Sequence, residues 1–223
     1  MGKLADFLAG IEVVEKVNSP INGEVSVVKS LAFGTYLQVA NLTQSGGIIY
    51  DIWNKTLRKV VGSKKQVVKV LILGLGGGSL VKVVKKYWPA SRGKPSVKIT
   101  GVDIDPVMVG LGRKYLKLSD KEVKVEISDA YEILKTYNRQ HTTYDLVLID
   151  LYVGDEFPKK FASEKFAKLV RKSLSGGGTA VFNRLYYGEK RKESMKFSEV
   201  LEDVFSKVEI VFPEANVMFV CSK

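Results

Sequence analysis

Beyond residue 66 short apolar runs alternate with segments of helical spacing, and this alternation limits the chain to very few folds. Strands are expected at 67–73, 97–103, 123–127, 146–150 and 179–183, separated by helices at 79–88, 106–116, 130–137 and 163–172, with a further helix at 189–205. Strands spaced by helices form right-handed crossover units, so the expected core is a parallel sheet covered on both faces. The pattern changes at its end. Strands 208–212 and 216–220 are joined only by Pro213, Glu214 and Ala215, too short a link for a crossover, so they must pair antiparallel. Seven strands closing on a hairpin set this sheet apart from a plain dinucleotide-binding fold.

Ahead of the sheet, residues 11–45 fall into short β-like pieces at 11–17, 24–31 and 35–39, broken by Asn18-Ser19-Pro20, Phe33-Gly34 and Asn41. Residues 48–60 then space Ile48, Ile49, Ile52, Trp53, Leu57 and Val60 as a helix that Gly62-Ser63 would end. The expected organisation is a β-hairpin appendage over 1–47, a connecting helix over 48–66 and an α/β domain over 67–223. No apolar run reaches the roughly 20 residues of a membrane span, and the first residues make no signal segment, so the cytoplasm is the expected address. A single histidine, His141, in a polar stretch, and a single cysteine, Cys221, after an apolar run argue against a metal cluster and against histidine- or thiol-based catalysis.

The chemistry concentrates where strands end. Strand 67–73 runs into Gly74-Leu75-Gly76-Gly77-Gly78-Ser79 and then a helix, the arrangement in which bare backbone can approach a nucleotide. The next strand ends in Asp103, placed to accept from ribose hydroxyls, although an acid ahead of Pro106 also reads as a helix cap. The third ends in Ser128-Asp129 and the fourth in Asp150. Glycine, acid, acid and acid thus follow one another along one rim, where open parallel sheets bind ligands.

These segments resemble the motifs of spermidine synthase-like proteins, which belong to the class I fold of S-adenosylmethionine-dependent methyltransferases. The resemblance rests on Thr43-Gln44-Ser45-Gly46-Gly47, Val70-Leu71-Ile72-Leu73-Gly74, Val102-Asp103-Ile104-Asp105-Pro106, Ser128-Asp129-Ala130 and Tyr144-Asp145-Leu146-Val147-Leu148-Ile149-Asp150. It implies a Rossmann-like seven-stranded sheet preceded by a small N-terminal β domain. It also implies that Gln44 holds the cofactor tail, Asp103 the ribose and Asp129 the adenine, and that Asp150 faces the reacting centre. Beside the resemblance, the turn's own chemistry offers the bare backbone of Gly74, Gly76, Gly77 and Gly78 to the cofactor. If a base is needed, Asp150 is the best placed candidate, with Tyr152 and Asp155 behind it.

The chain departs from aminopropyltransferases of that family where carboxylates would grip a cationic amine. Gly77 stands in place of an aspartate, Ile52 near that of a glutamate, and Leu151 to Pro158 replace an Asp-Ser-Ser-Asp-Pro run. A glycine at 77 leaves backbone N–H groups for the methionyl carboxylate, so intact S-adenosylmethionine is the expected cofactor and methyl transfer to a small molecule the expected reaction. Aminopropyl transfer from decarboxylated S-adenosylmethionine to a diamine is the alternative, and a non-catalytic binding module a third reading. Residues 61–100 hold nine basic and no acidic side chains, yet Lys82, Lys85 and Lys86 share one helix face without interleaved aromatics, so a solvated face is expected and nucleic acid is not the expected partner. The β appendage offers a surface for self-association.

Overall fold

The structure, a computed structural model, describes residues 10–61, 69–89 and 97–223. Four strands, β1 (Ile11–Ser19), β2 (Gly23–Ser30), β3 (Gly34–Val39) and β4 (Leu42–Gly46), form an antiparallel meander, and helix α1 (Gly47–Val61) follows. Strand β4 went unanticipated because Leu-Thr-Gln-Ser-Gly carries no apolar alternation; its neighbours impose the strand. The expected helix stop at Gly62-Ser63, the first two residues of strand 67–73, and Lys64, Lys65, Arg92 and Lys94 lie outside the described residues.

The remaining elements are β5 (Lys69–Leu73), α2 (Ser79–Tyr87), β6 (Lys98–Asp103), α3 (Pro106–Tyr115), β7 (Lys124–Ile127), α4 (Ala130–Arg139), β8 (Tyr144–Ile149), a 3-10 turn (Lys159–Ala162), α5 (Glu164–Lys172), β9 (Leu174–Leu185), α6 (Lys190–Val204), β10 (Lys207–Val211) and β11 (Asn216–Ser222). They build one seven-stranded sheet in the order β10-β11-β9-β8-β5-β6-β7. Strand β11 runs antiparallel to both its neighbours, while β5, β6, β7, β8 and β9 are mutually parallel. The central strands are apolar on both faces, as a doubly covered sheet requires: Val70, Leu71, Ile72 and Leu73 of β5 are fully buried. Order reverses between β5 and β8, so their carboxyl ends open a crevice above the sheet.

The β meander shares its core with the α/β part, for Val25, Val27, Leu37 and Val39 pack against Met108, Leu111 and Leu116 on and just beyond α3. A polar joint reinforces this. Asp105 is fully buried; its Oδ1 caps α3 by accepting from the Val107 N–H at 2.8 Å, and its Oδ2 accepts from Ser19 Oγ and Asn22 Nδ2, each at 2.6 Å. Asp105→Ala strands all three donors, and unfolding in urea should show a loss of about 2 to 4 kcal/mol. An unchanged midpoint would mean that the meander docks through apolar contacts alone.

The expected solvated face also takes shape. Lys82 is exposed, Lys85 pairs with Glu122, and Lys86 donates to Asn54 Oδ1 at 2.9 Å, while Val83 and Val84 of the same helix are buried. His141 sits exposed in the turn after α4, and Cys221 is buried within β11, where desolvation raises its thiol pKa and keeps it protonated. Among the described residues no cluster of metal-ligating side chains occurs, and no helix is long and apolar enough to cross a membrane.

Candidate active site

The crevice is a cavity of about 660 Å³ roofed by β4 and α1 and floored by the strand ends. Gly74 and Gly76 line it, as do Gln44, Asp103, Asp129, Asp150 and Tyr152. Gly77, Gly78 and Asp155 are not among the lining residues.

The glycine turn corrects the expectation built on Gly77. That residue is buried, its N–H donates to Ser45 Oγ at 2.9 Å, and a Cβ there would lie 2.6 Å from Leu116 Cδ1 and 3.0 Å from Leu37 Cδ1. The absence of a side chain at 77 therefore serves packing. Helix α3 presses so closely that a Cβ on Gly112 would meet the Gly77 Cα at 2.6 Å, and Gly78 adopts a left-handed φ of 88° beneath Leu118. The other N–H groups of the turn are also taken. Gly74 and Leu75 both donate to the Val102 carbonyl, at 2.9 and 3.0 Å, Gly76 to Asp103 Oδ2 at 2.6 Å, and Gly78 to the Leu75 carbonyl at 2.9 Å. From Gly74 to Gly78 no backbone donor is left for a carboxylate, which is the reverse of what the glycine run alone suggested.

Asp103 ends β6 with Oδ2 on Gly76 and Oδ1 on the Asp105 N–H at 2.9 Å, so it braces the turn as well as facing the cavity. Desolvation pushes its carboxyl above the ordinary range, with the backbone donors of Asp105 and Gly76 pulling against it. Asp129 caps α4 through Oδ1, which accepts from the Tyr131 and Glu132 N–H groups at 2.8 and 3.3 Å, and its Oδ2 pairs with Lys160. Partial desolvation opposes ionisation here, but the Lys160 ammonium and the two backbone donors outweigh it and hold the carboxyl below its usual value. Gln44 reaches across the cavity mouth, donating from Nε2 to the Gly154 carbonyl at 2.9 Å. It thus ties β4 to the loop after β8.

Asp150 lies at the centre. Its Oδ2 accepts from Trp53 Nε1 at 2.9 Å and its Oδ1 from Asn183 Nδ2 at 2.8 Å, and Asn216 Nδ2 in turn donates to Asn183 Oδ1 at 2.8 Å, which orients the amide. Burial dominates and raises its pKa, while the Asn183 and Trp53 donors moderate the rise. A desolvated carboxylate held by two neutral donors, with no cation beside it among the described residues, is poised to take a proton. Trp53, Asn183 and Asn216 were not singled out as site residues from the sequence: Trp53 reads there as an apolar helix position, and two asparagines in adjacent strands, a residue type that strands avoid, are the one signal that was available.

Tyr152 contributes its ring to the cavity wall, edge-on to Phe157 at 5.4 Å between centroids, and its hydroxyl accepts from the Leu185 N–H at 2.7 Å. Burial raises its pKa and keeps the phenol protonated, so it shapes the site and cannot act as a base near neutrality. Asp155, expected behind Asp150, turns away from the cavity. Lys190 holds it, contacting Oδ2 at 3.1 Å and the backbone carbonyl at 2.7 Å.

Strand order, the antiparallel seventh strand and the acid-rimmed glycine turn together define the class I methyltransferase type of α/β fold. Human methyltransferase-like protein 13 in complex with SAH is similar, with a TM-score of 0.59 at 22% identity over 78% of each chain. Within that class, the chain belongs to the spermine/spermidine synthase domain family, whose model matches residues 51–221. The spermidine synthase of Thermotoga maritima superposes with a TM-score of 0.73 at 17% identity, covering 95% of this chain and 72% of that one. A polyamine aminopropyltransferase of Neisseria meningitidis is 33% identical over 135 residues, which is 60% of this chain and 47% of the relative. The chain spans about half the length of the curated relatives it matches.

Proposed function

We propose that the chain transfers the aminopropyl group of decarboxylated S-adenosylmethionine to an amine. Family membership supports this reading, and the saturated glycine turn carries it: every N–H from Gly74 to Gly78 already has an acceptor, so a methionyl carboxylate would meet no donor there, whereas a tail without one loses nothing. The residues fit the cosubstrate in the same sense. A 660 Å³ cavity over the strand ends has Asp103 and Asp129 at one end for a nucleoside and Asp150 further along the rim.

The sulfonium supplies an electrophilic carbon and a neutral thioether leaving group. The chain's own part is to position the amine and remove its proton. An acceptor arrives largely as an ammonium, which has no free electron pair. Asp150 takes that proton; the freed nitrogen pair forms the C–N bond as the C–S bond breaks, and sulfur keeps the bonding electrons. Trp53 and Asn183 hold the carboxylate still while its raised pKa makes it the stronger base.

Methyl transfer from intact S-adenosylmethionine rested on free N–H groups at Gly77 and loses that basis. The two reactions leave different nucleosides, so the purified chain given a primary amine and either cosubstrate should release methylthioadenosine from the decarboxylated form and no S-adenosylhomocysteine from the intact one. Release of S-adenosylhomocysteine alone would replace aminopropyl transfer with methyl transfer.

A further inference from the structure

We infer that Arg184, which stands behind the cavity wall, is a positioning residue that sets the loop after β8 for turnover through the ring of Phe157. The inference rests on the aminopropyl-transfer reading for the reaction affected, while the positioning itself follows from contacts. Arg184 lies on β9 between Asn183 and Leu185. Both neighbours line the cavity, whereas Arg184 does not: its side chain packs instead against Phe157 and Phe197, and only 6% of the residue is exposed. Its Nε and Nη1 are buried without a hydrogen-bond partner. Desolvation lowers its pKa, with Tyr152 and Glu193 pulling the other way. The guanidinium carbon is 4.1 Å from the centre of the Phe157 ring and 5.2 Å from that of Phe197.

A guanidinium is a costly way to fill this space. Two ring faces attract a cation, but they do not replace the hydrogen bonds that Nε and Nη1 gave up on leaving water, so part of the desolvation cost stands. An unbranched apolar side chain would occupy much the same volume without that cost. What it would not supply is direction, because a planar cation over a ring fixes where that ring lies. Phe197 belongs to α6 and is buried in the core, whereas Phe157 belongs to the loop, so Arg184 fastens a loop ring to a fixed one. Phe157 in turn meets Tyr152 edge-on, and Leu151, Tyr152, Val153, Gly154 and Pro158 of the same loop line the cavity. Elsewhere the loop is tied by hydrogen bonds, from Gln44 to the Gly154 carbonyl and from Lys190 to the Asp155 carbonyl. The stack on Arg184 orients its base, where the chain leaves Asp150.

Arg184→Met separates position from stability. The variant should unfold in urea at a midpoint no lower than that of the wild type. Yet the Val153 and Glu156 amides, which bond each other's carbonyls across the loop, should exchange with deuterated solvent about fivefold faster or more. For the amine, kcat/KM should fall about tenfold or more, while affinity for methylthioadenosine stays within about twofold. Phe157→Leu should reproduce both losses, and the double variant should be no worse than the more severe single one, because the two changes remove one contact. A midpoint that drops as exchange rises would make Arg184 an ordinary core residue and overturn the inference. Exchange at the wild-type rate, faster exchange with kcat/KM unchanged, or losses that multiply in the double variant would overturn it as well. If the wild type transfers no aminopropyl group, the proposed reaction falls, while the midpoint and the exchange rates still decide whether Arg184 positions the loop.

Discussion

Asp150→Asn should lower kcat by about 10² to 10⁴, the range of a lost general base, while affinity for the nucleoside cosubstrate stays within a few fold. The separation follows from geometry, because Asp150 meets Trp53 and Asn183, whereas Asp103 and Asp129, the proposed nucleoside holders, line the cavity at other strand ends. A kcat reduced less than tenfold would remove Asp150 from proton transfer. The pH dependence supplies an independent check. As the proposed base Asp150 must be ionised, and burial raises its pKa, so activity should fall as pH drops through a value above that of an ordinary aspartate. Trp53→Phe removes a donor to the ionised form and should move that acid limb to still higher pH. Stability carries the opposite sign. A carboxyl whose pKa is higher folded than unfolded binds more protons in the native state between the two values, so the wild type should lose stability as pH rises through that window, and Asp150→Asn should not share this loss.

Gly74→Ala is the second large effect, with an expected destabilisation on the order of 3 to 5 kcal/mol by chemical denaturation. Two costs combine. Gly74 has a φ of 87°, a conformation that strains any L side chain, and an added Cβ would stand inside the contact radius of the Asp150 carbonyl oxygen. Neither neighbour can yield cheaply, because the Asp150 N–H is bonded to the Leu73 carbonyl at 2.8 Å and the Gly74 N–H to Val102. Any relief must move the backbone that carries the Asp150 carboxylate, so residual folded protein should also show reduced kcat. A variant as stable as the wild type would show that the turn tolerates a side chain.

Much of this was readable from the chain as written, and the reasons differ by residue. The alternation of apolar runs and helical segments reports burial directly, and Pro213-Glu214-Ala215 is too short to permit anything but a hairpin. Asp103, Asp129 and Asp150 were legible because they end strands, and in a parallel sheet all strand ends face one crevice. Gly77 was misread for an equally definite reason. Spacing says that a side chain is missing but not which neighbour fills the space, and here Leu116, Leu37 and Ser45 fill it. The donors on Asp150 were hidden since they arrive from residues 53 and 183, and their convergence exists only after the sheet has assembled. Asp155 was placed by sequence proximity to Asp150, but the bridge between Val153 and Glu156 turns the loop and sends its side chain to Lys190.

Strand β11 lies between β9 and β10 although both precede it in the chain, and it brings Asn216 to Asn183. Domains fold as units, so a chain synthesised only through α6 carries the residues of the strand-end rim, the Asp150 carboxylate and Trp53 but not yet the hairpin that completes the sheet. It still lacks the amide that sets the orientation of Asn183. The setting of the Asp150 carboxylate therefore depends on the part of the sheet made last, the β10–β11 hairpin that adds to the edge of β9.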